Sequence, residues 1–153
     1  MRFDDDLATV IEAGLPTHLA TSNAALVPNA ARATATRAEA DREHLIGYVP
    51  DVAAGPLLDD LRDTGHAAVC IARPSGHHSW QLKGVFVDAR PGGEDERTFV
   101  MDQWARSLES MAAVGVPPEG ATHYATWPAV AIRLRVTACF DQTPGPGAGA
   151  RLR

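Results

Sequence analysis

Two polar side chains with different hydrogen-bonding chemistry stand two residues apart in an otherwise apolar stretch. A β-strand would place Gln81 and Lys83 on one face and Trp80 and Leu82 on the other. An amide beside an ammonium group suits a polar, anionic, ring-bearing ligand. The same pattern also fits the exposed face of an edge strand that binds nothing, so both interpretations stay open. Gly84 follows directly and predicts a bulge, or a point where another group approaches the backbone closely.

The helices and strands that position these groups are predicted from the spacing of apolar residues, and their ends from Gly and Pro. The predicted helices span 4–14, 53–63 and 94–114, and the predicted strands span 17–22, 26–36, 45–49, 67–72, 79–89 and 129–140. Six short strands with hairpin signals predict a mainly β protein, a six-stranded antiparallel split β-barrel with flanking helices. A mixed α/β fold with a parallel sheet is the alternative. The continuous run of small apolar residues at 67–72 predicts a central, fully buried strand.

Length and charge limit the classes of protein that fit. With 153 residues we expect one domain, residues 1–141, followed by a Pro/Gly-rich tail, residues 142–153. A net charge of −5 argues against a nucleic-acid surface. The acidic start lacks the basic region of a secretory signal and no apolar run is long enough to span a bilayer, so we expect a cytoplasmic protein with no membrane partner. Cys70 and Cys139 lie in apolar runs and are expected to be buried, reduced thiols.

Several short segments, in this order, resemble one known family. They are 28–32 (Pro-Asn-Ala-Ala-Arg), 47–50 (Gly-Tyr-Val-Pro), 81–84 (Gln-Leu-Lys-Gly) and the tail 140–149. The chain is similar to the pyridoxamine 5'-phosphate oxidase-like FMN-binding split barrels, from about residue 15 to 89 and more loosely to 140. The resemblance implies that fold, a bound FMN, and a homodimer whose cofactor lies between the subunits.

The same resemblance implies which residues hold the cofactor. Arg32 and Arg37 match the basic pair that holds the FMN phosphate, and a bulge or strand end must intervene for side chains five apart to converge. Gln81 and Lys83 match positions at the edge of the flavin ring. Among the aromatic residues, which we expect mainly in the core or a dimer interface, Trp127 is the first choice for stacking on the ring.

One departure from the family pattern concerns the loop that should supply a further basic group for the phosphate. Residues 50–56 contain no Lys, Arg, Ser or Thr and do contain Asp51, which leaves a backbone nest or a helix N-terminus as the alternative anchor. The family resemblance implies a flavin-dependent oxidoreductase of unknown substrate, with no catalytic acid or base identified. We expect no pyridoxamine phosphate oxidase activity, because the long C-terminal substrate-binding segment has no counterpart.

Other ligands remain open. A haem, deazaflavin (F420) or other small-ligand-binding split barrel without enzymatic activity is the alternative function, with His77 or His78 as a conceivable axial ligand for haem. A mixed α/β interaction module without any small ligand is a weaker alternative. No metal site is predicted, since the chain has neither an HExxH motif nor Cys/His ligand spacing.

Overall fold

Strands and helices follow one another in nearly the order that the sequence predicts. A computed structural model describes residues 1–121 and 123–152. Within these residues the helices are α1 (Asp5–Glu12), α2 (Asp51–Thr64) and α3 (Arg97–Ala112), and the strands are β1 (Thr17–Ser22), β2 (Pro28–Ala33), β3 (Ala35–Ala38), β4 (His44–Pro50), β5 (His66–Ala72), β6 (Ser79–Pro91), β7 (Ala129–Asp141) and β8 (Arg151–Leu152). Short 3-10 turns lie before β6, before α3 and after it.

Local chemistry explains where the helices begin and end. The carboxylate of Asp4 caps α1 by accepting a hydrogen bond from the backbone N–H of Leu7 at 2.9 Å. Helix α2 ends at Gly65, whose φ of 71° is the left-handed conformation that closes a helix at low cost in glycine. The predicted helix 94–114 is shorter than expected, because residues 94–96 form a separate 3-10 turn.

The sheet closes on itself through one bent segment. The strand order is β2-β1-β5-β6-β7-β4-β3, with β8 paired to β7, and every pairing among the described residues is antiparallel. The two ends of this order, β2 and β3, are joined by Thr34 alone. Its backbone N–H donates to the carbonyl oxygen of Tyr48 on β4 at 2.8 Å, which ties the bend to the barrel.

This bend corrects the predicted strand count. The sequence predicts six strands, whereas the sheet path has seven, because Thr34 divides the predicted strand 26–36 into β2 and β3. The antiparallel pairings exclude the alternative α/β fold with a parallel sheet. The mainly β split barrel with flanking helices is confirmed.

Two apolar clusters among the described residues stabilise the barrel. The inner cluster fills the barrel with side chains from the strands and from α1 and α2, and includes Leu19, Val69 and Leu82, each at most 1% exposed. The outer cluster lies between α3 and the outer face of β3, β4 and β7, and consists of Ala35, Ile46, Tyr48, Val100, Ala129 and Ala131. Helix α3 is thus fixed on the outside of the barrel by its own small core.

Strand β5 differs from the prediction in burial. It lies between β1 and β6 as a central strand, yet only alternate residues such as Val69 and Ile71 are buried, because its other face points out of the barrel. Cys70 is therefore exposed, and the prediction that it is buried is wrong. Cys139 is fully buried, as predicted.

The Pro/Gly-rich tail returns to the barrel. Residues Arg151–Leu152 form β8, in which Arg151 is the strand partner of Phe140 and Leu152 that of Cys139. Leu152 packs against the inner cluster, so this part of the tail is anchored. None of the helices among the described residues has the length and apolar character needed to cross a membrane.

Candidate functional site

One row of side chains crosses four strands on the outer face of the barrel. In the strand register Arg32 on β2 is paired with His18 on β1, His18 with Cys70 on β5, and Cys70 with Gln81 on β6. Neighbouring strands lie about 4.8 Å apart, so roughly 14 Å separates the Cα atoms at the two ends of the row. The row therefore joins two predicted site residues, Arg32 and Gln81, across one surface.

The guanidinium of Arg32 lies between two aromatic rings. Its Cζ atom is 5.5 Å from the centroid of Trp104 on α3 and 5.4 Å from that of Tyr124, which follows α3 in the chain. Both distances are within the range of cation–π attraction. Within residues 1–121 and 123–152 no carboxylate pairs with Arg32, so aromatic rings rather than a counter-charge hold it.

Arg32 forms part of the wall of a cleft at the start of α2. This arginine cleft has a volume of about 230 Å³ and is lined by Ala30, Arg32, Val52, Ala53, Trp104 and Tyr124, among others. The first-turn N–H groups of a helix carry partial positive charge. A guanidinium and a helix N-terminus at the walls of one cleft favour an anion, although Asp51 opposes this, with its carboxylate accepting from the N–H of Val52 at 2.7 Å.

Gln81 and Lys83 lie on the outer face of β6, as predicted, while Leu82 between them is 1% exposed. The Oε1 atom of Gln81 accepts from Nε2 of Gln142 at 3.5 Å. The ammonium of Lys83 lies 5.3 Å from the ring centroid of Phe140, and Lys83 lines an open depression of about 260 Å³ that includes Ala20 and Ala68. Both polar groups thus remain accessible on the same face as Arg32.

The glycine after Lys83 has the structural role that the sequence predicts. The register between β6 and β7 shifts between Lys83 and Gly84, which is a bulge. A Cβ atom on Gly84 would lie 3.2 Å from the carbonyl oxygen of Arg135 and from Cβ of Leu134. The close approach of β7 therefore favours a residue without a side chain next to Lys83.

The middle of the row is uncharged near neutral pH. Partial burial lowers the pKa of His18, and the positive charge of Arg32 lowers it further. Cys70 is exposed, but neighbouring groups partly shield its thiol from water, and this partial desolvation raises the pKa of the thiol. A neutral imidazole and a protonated thiol thus separate the cationic end of the row at Arg32 from the amide end at Gln81.

Arg37 has a different environment from Arg32. Its Cζ atom is 4.1 Å from the ring centroid of Phe99 on α3, and its Nη1 atom is 3.5 Å from Oε1 of Glu96. Glu96 is 5% exposed and also accepts from the hydroxyl of Tyr48 at 2.6 Å and from Arg90 at 2.7 and 2.9 Å. These hydrogen bonds, that of Arg90 first, lower the pKa of Glu96 to about 2.

The bend at Thr34 places both arginines outside the barrel. Ala33 and Ala38 both pack into the inner cluster, although a spacing of five would put them on opposite faces of a regular strand. Arg32 and Arg37 precede them and so both face α3. They contact α3 five residues apart, at Trp104 and Phe99, which is about 7.5 Å along the helix axis. Arg37 is not among the residues that line the arginine cleft, and its phosphate role stays a prediction.

Trp127 packs against the outer cluster, on the side of Arg37 and not of Gln81 and Lys83. The atoms nearest to a Cβ atom built on Gly92 are those of the Trp127 ring, at 2.7 Å, so the ring covers this glycine closely. The structure thus brings Arg32, Gln81 and Lys83 to one surface and places Arg37 and Trp127 beside another. Stacking of Trp127 on a ligand stays a prediction.

Sequence reasoning missed the two rings that hold Arg32. Trp104 is 7% exposed and Tyr124 is 56% exposed, whereas the sequence predicts both to lie in the core or in a dimer interface. No local signal connects these residues to β2, because the contact depends on how α3 folds back over the barrel. Glu96 likewise contacts Arg37 and Tyr48, which are distant from it in sequence.

One further group of potential metal ligands lies away from this face. Glu39, Asp41 and His44 each offer a ligand atom, and these atoms lie within 4.8 Å of one another. Nδ1 of His44 is 2.7 Å from the carboxylate of Asp41, and Glu39 accepts from Nε of Arg133 at 2.7 Å. The cluster is therefore already held by its own ion pairs and hydrogen bonds.

Comparisons with known proteins identify the fold. No family model and no curated protein matches this chain. A "putative pyridoxamine 5'-phosphate oxidase" from Lactobacillus delbrueckii has a TM-score of 0.57 at 11% identity, covering 91% of this chain and 93% of that one. An FMN-binding protein from Syntrophomonas wolfei has a TM-score of 0.55 at 12% identity, covering 88% and 82%. An F420 reductase has a TM-score of 0.55 at 18% identity, covering 86% and 93%.

At these identities the similarity establishes the fold alone. The fold is the split barrel of the pyridoxamine 5'-phosphate oxidase-like proteins, which confirms the resemblance seen in the sequence. Solved structures with this fold include a protein described as FMN-binding and one described as an F420 reductase.

Proposed function

We propose that this chain binds a flavin-type cofactor on the outer face of its split barrel, and that FMN is the preferred candidate. The observation that supports this most directly is Arg32, a guanidinium without a carboxylate partner among the described residues, in a cleft at the N-terminus of α2. Arg32 and the first turn of α2 would hold the phosphate. Guanidinium groups bind phosphate oxygens in a bidentate manner and keep their charge at every accessible pH.

The ring would lie toward the other end of the row. FMN carries its phosphate on a five-carbon chain, so contacts to phosphate and ring must be separated along a surface, as Arg32 and Gln81 are. The amide of Gln81 and the ammonium of Lys83 can donate hydrogen bonds to the polar edge of the ring. A bound flavin supplies hydride and electron transfer. A positive charge at Lys83 would favour the anionic reduced form.

A second copy of the chain would cover this face. The face carries small side chains, Ala20, Ala30 and Ala68, and the strongly exposed Val52, at 78%, lies at the mouth of the arginine cleft. A homodimer built on this face would bury apolar surface and create two equivalent sites. Light scattering should give the mass of a dimer, and Val52→Asp should shift it toward the monomer.

The first test is cofactor retention. The purified protein is mixed with excess FMN, desalted, and examined for absorbance in the flavin bands; retention is expected. Affinities of FMN and riboflavin are then compared in the wild type, in Arg32→Ala and in Arg62→Ala, a control on the exposed side of α2 that lies outside the cleft. We expect Arg32→Ala to remove the preference for FMN over riboflavin. An unchanged preference would refute the phosphate role.

Other results of the same experiment lead to the alternatives. Failure to retain FMN together with binding of F420 would assign the deazaflavin instead. A Soret band after incubation with hemin would assign haem. We further propose that the bound flavin is redox-active. This requires that a nicotinamide donor reduce the bound flavin faster than it reduces free flavin.

A further inference from the structure

A second cavity lies on the other side of Arg32. It has a volume of about 260 Å³, is partly open to solvent, and is bordered by α3 and by the segment that follows it, with Leu108, Met111, Val116 and Pro117 in its wall. Arg32 and Tyr124 belong to this side cavity as well as to the arginine cleft. The two spaces therefore share one charged group.

The lining of the side cavity selects the chemistry of its ligand. Among the described residues that line it, Arg32 is the only charged one, and the remaining side chains are apolar apart from the hydroxyl of Tyr124. The volume exceeds the roughly 150 Å³ that accommodates benzene in an engineered apolar cavity. A ligand that fits has an apolar body of about the size of one or two rings, and one anionic group that reaches Arg32.

The state of Arg32 makes such a ligand favourable. The guanidinium is held by the rings of Trp104 and Tyr124, while no carboxylate of the described residues pairs with it. A ligand carboxylate would thus gain a charge-assisted hydrogen bond without displacing an existing ion pair. The rings also limit the motion of the guanidinium, which lowers the conformational entropy lost on binding.

We propose that the side cavity binds a small apolar carboxylate through Arg32, and that this ligand competes with the phosphate of the cofactor for the same guanidinium. Binding of the carboxylate in the side cavity does not depend on the proposed cofactor, whereas the competition rests on the proposed function. Because two anions would share one cation, each weakens the binding of the other, and by thermodynamic linkage the two factors are equal. A ligand with the same apolar body but no charge would bind without this competition.

The test uses 2-naphthoate, with 2-naphthalenemethanol as the uncharged analogue. Calorimetric titration of the flavin-free protein should show that naphthoate binds at least tenfold more tightly than the alcohol. Arg32→Gln should remove this difference, while Arg62→Gln should preserve it. Equal binding of acid and alcohol by the wild type, or unchanged naphthoate binding by Arg32→Gln, would overturn the proposal.

A second variant locates the ligand. Met111→Asp places a negative charge in the wall of the side cavity but lies outside the lining of the arginine cleft. It should weaken naphthoate at least tenfold and leave riboflavin binding unchanged. Naphthoate binding that Met111→Asp does not affect would place the ligand elsewhere and refute the site. Circular dichroism confirms that each variant is folded.

The competition has its own readout. Addition of FMN should lower naphthoate affinity severalfold in the wild type, and naphthoate should lower FMN affinity by the same factor. Riboflavin, which lacks the phosphate, should have no such effect. If FMN binds but does not affect naphthoate, the competition is refuted. If FMN does not bind at all, the proposed function fails while the carboxylate site is still decided by the titrations above.

Discussion

Arg32 and Arg37 lie five residues apart on one bent segment, and both guanidinium groups rest on rings from α3. Arg37 also pairs with Glu96, which binds Tyr48 and Arg90 in turn, whereas Arg32 pairs with no carboxylate of the described residues. We infer that Arg37 is held mainly by the fold, whereas the charge of Arg32 is available to the proposed ligand. The presence of a buried counter-charge distinguishes the two cases.

The largest effect should come from removing that counter-charge. Glu96→Gln removes the negative charge, and one of the two acceptor oxygens, that holds Tyr48, Arg37 and Arg90 together. Removing one charge from a buried ion-pair network of this kind costs about 3 kcal/mol. We expect this loss in the free energy of unfolding, measured by urea denaturation. A loss below about 1 kcal/mol would mean that the network does not stabilise the attachment of α3.

The pH dependence of stability offers a second way to examine Glu96. Its pKa in the folded protein is lowered to about 2 from 4.5, so the ionised form is favoured by folding. The resulting stabilisation is complete above about pH 4.5 and is lost as the pH falls toward 2. Urea midpoints across this range should fall less steeply in Glu96→Gln than in the wild type. If the urea midpoints of the two proteins fall equally steeply with pH, the lowered pKa does not belong to Glu96.

Arg32 should show the opposite behaviour, with a large effect on binding and a small one on stability. A hydrogen bond to a charged group contributes about 2 kcal/mol, so Arg32→Ala should weaken FMN about thirtyfold. Its free energy of unfolding should change by no more than about 2 kcal/mol, because two cation–π contacts of about 1 kcal/mol each are lost and no ion pair is broken. If Arg37→Ala weakens FMN as much while remaining equally stable, the contrast between the two arginines is wrong.

A smaller effect should follow from removing one of the rings around Arg32. Trp104→Leu keeps an apolar side chain on α3 but loses the aromatic face 5.5 Å from the guanidinium. A cation–π contact is worth about 1 kcal/mol, so FMN affinity should fall about fivefold. Phe99→Leu, which removes the corresponding ring beneath Arg37, is the matched control and should leave FMN affinity unchanged.

The smallest effect concerns His18, the neighbour of Arg32 in the row. Arg32 contributes to its lowered pKa, so an anion bound to Arg32 should raise the pKa of His18 toward 6.5. Titration of the imidazole resonances by NMR, with and without FMN, measures this shift. Riboflavin serves as the control without phosphate. A His18 pKa that falls on FMN binding would place the phosphate elsewhere.

The two ends of the site differ in how far the sequence predicts them. The strand that carries Gln81 and Lys83, the face they share and the bulge at Gly84 follow from alternation and from a single glycine. The partners of Arg32 and Arg37 do not, because Trp104 and Glu96 reach these arginines only through the way in which α3 packs on the barrel. The exposure of Cys70 was missed for a related reason, since a run of small residues fits a strand buried on one face as well as on two.

The single-residue junction at Thr34 limits which sequence changes the segment from β2 to β3 can tolerate. Side chains alternate between faces along a strand, so deleting one residue between Arg32 and Arg37 would turn one of the two arginines toward the inner cluster. Substitutions at the junction change only local contacts, whereas a change of length reverses the orientation of a whole strand. The length of this junction thus determines which side chains of β2 and β3 point into the barrel. Insertions or deletions at Thr34 should therefore be far less tolerated than substitutions.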